Sequence, residues 1–121
     1  MPTKNISIIP IQTLNDAIVE IKKIGSDPKT IEIMAPKALF KTLKLKNIET
    51  QDAIIIKQDM LSIGGEVALP KDAFTLQQKT VDILIMGTLT QLRELTKKLN
   101  RHYPRIQRIS KDLSTICKKI K

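Results

Sequence analysis

The sequence offers one histidine (His102) and one cysteine (Cys117). Acyl transfer needs a nucleophile, a base and an orienting group within reach of one another. His102 sits in a basic C-terminal stretch, so a histidine-based centre is not expected. One cysteine and one histidine cannot build a protein-only zinc cage, and a lone cysteine cannot close an internal disulfide. Carboxylates pair on paper, Asp52 with Asp59 and Glu66 with Asp72, but nothing in their spacing marks them as buried together. Gly64-Gly65 and Gly87-Thr88 match no phosphate loop. Their plain reading is a helix stop and a strand-to-helix junction. Amides at such a junction, with the positive end of the helix that follows, can hold an anion. That makes Lys57, Gly64, Gly65, Gly87 and Thr88 a candidate anion or small-ligand set, although Lys57 reads equally as a solvated lysine on a polar helix face. No catalytic residue, metal or cofactor is expected.

The second chemical feature is charge. The chain carries a net +9, and its placement is uneven. Residues 93–121 hold ten Lys and Arg against Glu94 and Asp112, whereas residues 1–92 hold eleven against ten. The positive field therefore belongs to the C-terminal segment, which would attract nucleic acid, phosphate or an acidic protein surface. Its plain reading is the solvated side of a terminal helix. Base recognition on single strands uses aromatic platforms, and only Tyr103 lies nearby.

These residues need elements to position them. At 121 residues, 41% of them hydrophobic, the chain can close one core and not two, so residues 1–121 are read as a single domain with a basic helical segment over about 89–121. No apolar run approaches the length that spans a bilayer. Met1–Asn5 lacks the apolar segment of a secretory signal, and a cytoplasmic chain is expected. Asn5–Ile9 reads as a short strand stopped by Pro10. Thr13 opens a helix whose Leu14, Ala17, Ile18, Ile21 and Ile24 share a face; Thr13 with Asp16 approximates a capping box, and Gly25 supplies the stop. Thr30–Ala35 reads as a strand broken by Pro36. Lys41–Leu45 alternates like a half-exposed strand, with a short helix from Lys37 as the competitor. Thr50 precedes a helix to about Ser62, ended by Gly64, and Glu66–Leu69 follows as a strand. Val81–Met86, almost continuously apolar, reads as a central strand covered on both faces. Thr88 and Gln91 cap a helix carrying Leu89, Leu92, Leu95 and Leu99. Pro104 opens the last helix, whose Ile106, Ile109, Leu113, Ile116 and Ile120 recur at heptad-like spacing. The expected fold class is α/β, a layered domain with a mixed sheet packed by about four helices.

Three stretches carry a family resemblance: Lys57-Gln-Asp-Met-Leu-Ser-Ile-Gly-Gly-Glu66 with the apolar residues before it, Val81-Asp-Ile-Leu-Ile-Met-Gly-Thr88, and Lys98-Leu-Asn-Arg-His-Tyr-Pro-Arg-Ile106. Together they resemble the N-terminal extension of the long-form dihydropteroate synthases, over about Ile31 to Leu113. In that family the extension precedes a pterin-binding (β/α)₈ barrel that performs the chemistry. The barrel's pterin and diphosphate motifs are not present here, so no catalytic residue carries over. His102-Tyr103-Pro104-Arg105-Ile106 also departs from the family pattern before the last helix. The resemblance implies a non-catalytic accessory domain in a folate and pterin context. Its partner would be a pterin-binding barrel, or a second copy, met through Arg101, Arg105, Ile106, Arg108, Ile109, Leu113, Ile116 and Ile120. Two alternatives stay open: a small basic module binding nucleic acid or another polyanion, and a module for a small anion or pterin.

Overall fold

Two adjacent signals start most of the helices: a side chain that can cap free amides, and an apolar stripe behind it. In the computed structural model, which describes residues 5–75 and 77–121, helix α1 covers Leu14–Ile24 and α2 covers Pro28–Ala38. Strand β1 (Phe40–Glu49), helix α3 (Thr50–Ile63) and strand β2 (Glu66–Ala68) follow. After a 3-10 turn at Ala73–Thr75 come strand β3 (Thr80–Thr88) and helices α4 (Leu89–Leu99) and α5 (Pro104–Lys119). The Thr13–Asp16 and Thr88–Gln91 capping boxes both form, and Gly25 and Gly64 end α1 and α3 in the left-handed conformation.

The strands form one sheet in the order β1-β3-β2, with β3 at its centre as expected. Both pairings are antiparallel, so the sheet is not the mixed one expected. The α3 connection brings the chain from β1 to β2 in the same direction, and β3 then inserts antiparallel between them. Only one face of β3 is covered. Val81, Ile83 and Ile85 are buried, while Asp82 is exposed and Leu84 and Met86 are half-buried. A run that looks uniformly apolar therefore faces two different environments. The core joins Val81, Ile83 and Ile85 to Ala53, Ile56 and Met60 of α3, Leu89, Leu92, Leu95 and Leu99 of α4, and Ile106 and Leu113 of α5. Burying each large aliphatic side chain there contributes about 1.5–3 kcal/mol.

β1 continues past Leu45 by means of a bulge. Leu45 pairs with Ile83 and Ile48 with Val81, so the strand carries one residue more than its partner between them. Asn47 takes a positive φ of 57°, which asparagine tolerates better than most residues, and its N–H donates to Asp82 Oδ1 at 3.0 Å. The bulge returns Ile48 to the inner face beside Leu43 and Leu45.

Two expected strands are absent. Thr30–Ala35 lies within α2: Asp27 accepts from Lys29 N–H, Pro28 occupies the first turn, and Ile31 and Ala35 are buried one helical turn apart. Ile33, which a strand would place beside them, is 62% exposed. Pro36 falls in the last turn, where it ends the helix instead of breaking a strand. Asn5–Ile9 pairs with nothing among the described residues, and Ile6 and Ile8 are 74% and 95% exposed. Thr50 is the first residue of α3 and not its cap; its N–H and Oγ1–H donate to the carbonyls of Lys79 and Gln78.

Candidate interaction site

The residues brought together most tightly are the ones that sequence spacing had left apart. Asp52 and Asp59 stand seven residues apart on α3, two turns along one face. The corner between α4 and α5 delivers a partner to each. Asp52, 1% exposed, accepts from Arg105 Nε at 2.5 Å and Arg105 Nη2 at 2.9 Å, and from the Tyr103 hydroxyl. His102 Nε2 lies 2.8 Å from Asp59 Oδ2. Arg105 also sits over the Tyr103 ring, 5.2 Å from its centroid. Burial pushes the Asp52 carboxyl up, but the hydrogen bonds from Arg105 and Tyr103 outweigh it and hold the group below its usual range. Burial, and then the bond to Asp52, raise the Tyr103 hydroxyl. This arrangement fastens α5 to α3. Its carboxylate is saturated by donors, which suits anchoring more than proton transfer. The Tyr-Pro-Arg run after a helix was the available signal, yet sequence alone cannot show which acidic residue it meets.

The candidate anion set is placed around α3 and the start of α4. Gly65 and Gly87 come together, because the Met60 side chain lies against both and a methyl group at either position would overlap Met60 Cε. The amides of Gly64 and Gly65 donate to Leu61 and Met60 carbonyls. The Thr88 amide donates to Gln91 Oε1, and Thr88 Oγ1 accepts from the Gln91 amide. Lys57 stands elsewhere and ties α3 to β2, with its Nζ donating to Val67 O at 2.8 Å and Glu66 Oε1 at 3.2 Å. The Val67 amide, and then Lys57, hold the Glu66 carboxyl below its usual value.

The five-residue seam on α5 is divided. Ile106 and Leu113 are buried, and Ile120 is half-buried against the core. Ile109 is half-buried and Ile116 is 43% exposed. The inward stripe is Ile106, Ser110, Leu113 and Cys117. The small side chains at 110 and 117 let α5 approach α4, and Ser110 Oγ–H donates to Thr96 O at 2.6 Å, so the hydroxyl is buried without loss. Ile109 and Ile116 instead face β1. Between them and Leu43, Leu45 and Ile48 runs a groove of about 390 Å³. Arg101 and Arg108 are exposed.

The chain is similar to part of two dihydropteroate synthase proteins. It is 22% identical over 98 residues to the bifunctional dihydropteroate synthase/dihydropteroate reductase of Helicobacter pylori, a match covering 81% of this chain and 26% of that protein. It is 24% identical over 112 residues to a probable bifunctional folylpolyglutamate synthase/dihydropteroate synthase of Halobacterium salinarum, covering 92% of this chain and 13% of that protein. The chain thus spans about a quarter and about an eighth of these relatives. No family model matches it, and no solved structure matches it. No helix among the described residues is long and apolar enough to cross a membrane.

Proposed function

We propose that this chain is an accessory domain of dihydropteroate synthase chemistry, in a folate and pterin context, acting by contact with a barrel partner and not by catalysis. The observation that carries this reading is the shape of the similarity: most of this chain against a minor part of each bifunctional relative. The structure adds that the buried carboxylate Asp52 is committed to Arg105 and Tyr103. The partner contact uses the basic corner between α4 and α5 and the exposed side of α5, including Arg101 and Arg108. Titrating the purified chain with a dihydropteroate synthase barrel lacking such an extension tests it by sedimentation velocity. A complex that Arg101→Glu with Arg108→Glu weakens is the expected result. No complex, or turnover of a pterin substrate by this chain alone, overturns the reading.

A second reading rests on a separate observation. Arg93 and Lys97 of α4 face Lys111 and Lys118 of α5 across two shallow depressions of about 290 and 340 Å³, which share Thr96, Lys97 and Ser114. Such a basic trough suits a polyanion, and binding to mixed-sequence oligonucleotides would fall steeply between low and physiological salt. Binding that is absent or indifferent to salt removes this reading.

A further inference from the structure

We propose that a second copy of this chain donates its Asn5–Ile9 segment as an added strand along the free edge of β1, with Ile6 and Ile8 filling the groove beneath α5. The receiving side is a sheet edge. β1 is ten residues long and, in the order β1-β3-β2, has a strand on one side only. The groove is lined by residues 42–46 in unbroken succession, so side chains from both faces of β1 border it and its floor is the strand's own edge. Its wall is Ile109, Leu113 and Ile116 of α5, with Asp112 beside them. An extended segment laid there gains main-chain hydrogen bonds from β1 and buries alternate side chains against aliphatic groups.

The donated side is in the same chain. Asn5-Ile6-Ser7-Ile8-Ile9 is rich in β-branched residues and alternates Ile6 and Ile8 on one face of an extended strand. Among the described residues both isoleucines are more exposed than any other large apolar side chain except Ile24, and the segment has no strand partner. Charge selects this segment over a direct pairing of two β1 strands. That pairing would bring Lys44 and Lys46 of each copy toward those of the other, whereas Asn5–Ile9 is uncharged. Within one chain Gln12 is held between α1 and the start of β1, its N–H donating to Asp16 Oδ2 and its carbonyl accepting from Lys41 Nζ at 3.3 Å, while Pro10 borders a depression with Val19 and Glu20 of α1, on the side away from the groove under α5. The exchange is reciprocal, each copy giving one segment and receiving one, which makes a closed two-fold dimer.

This association does not depend on a barrel partner, so its failure leaves the accessory-domain reading intact. Sedimentation equilibrium of the full chain, run from micromolar to millimolar concentration, tests it with two variants. Ile6→Asp with Ile8→Asp alters only exposed side chains, and Ile116→Asp alters the groove wall. The wild type is expected to dimerise, and each variant to weaken self-association about 100-fold or more. An equimolar mixture of the two variants is expected to recover a mixed dimer, because one retains an intact groove and the other an intact segment. Hydrogen exchange is expected to show those amides of residues 42–46 that point away from β3 protected only in the dimer. A chain that stays monomeric throughout, a dimer indifferent to Ile6→Asp with Ile8→Asp, a variant mixture without a mixed dimer, or free-edge β1 amides protected in the monomer (closure by the chain's own segment) would each overturn the proposal.

Discussion

Asp52 is a buried charge with three donated hydrogen bonds, two from Arg105 and one from Tyr103. Bonds to charged groups contribute about 1.5–3 kcal/mol when partners are lost, so Asp52→Ala should destabilise the protein by that amount in urea unfolding. The folded-state value of this carboxyl lies below the ordinary aspartate value of 3.8. Its contribution is therefore fully present above 3.8 and fades as the pH falls through the lower folded value. Asp52→Asn should accordingly flatten the acid limb of stability against pH, measured by thermal melting between neutral and strongly acid conditions. Met60 gives a second test. Gly87→Ala should cost about 1–3 kcal/mol by overpacking against it, and shortening Met60 to Ala in the same chain should recover part of that loss, a coupling that a double-mutant cycle would measure.

At the scale of elements, α2 separates a helical from an extended reading in one experiment. In a strand Ile31 and Ile33 would share a face; in α2 Ile31 is buried and Ile33 exposed. Ile33→Lys should shift stability by no more than about 0.5 kcal/mol, while Ile31→Lys should cost several times that, as measured by the denaturation midpoint. The same contrast explains what the sequence made legible. α1 and α4 were readable because capping box and apolar stripe agree, α3 from its stripe and the Gly64 stop, and α5 from Pro104 and its stripe. β3 was readable as a strand from its apolar run. In α2 the alternation of Ile31, Ile33 and Ala35 competed with the Asp27-Pro28 start signal, and the tertiary contacts of Ile31 and Ala35 decided for the helix. The α5 stripe was half legible. Ile106 and Leu113 were placed correctly, but the inward choice between Ile109 and Ser110 depends on a hydroxyl finding the Thr96 carbonyl, which no periodicity encodes. The Asp52 anchor was invisible for the same reason, since its partners lie more than fifty residues away.

For the whole molecule, the balance of charge sets how it meets others. Residues 93–121 carry a net +8 while the rest carries +1, so the field is concentrated on one side of the molecule. Association with an acidic surface should be fast at low ionic strength and slow sharply with added salt, with much less change in dissociation, readable by stopped-flow mixing. The surplus residue in β1 has a consequence of its own. It acts as a phase correction: ahead of it the odd-numbered side chains point inward, and beyond it the even-numbered Ile48 does. Pairing Asn47 regularly instead of bulging it out would leave the composition of the strand untouched while turning Ile48 outward and Glu49 toward the aliphatic interior. A relative aligned without a gap at that position, but lacking a residue able to adopt a positive φ, would have to solve the same sheet in a different frame.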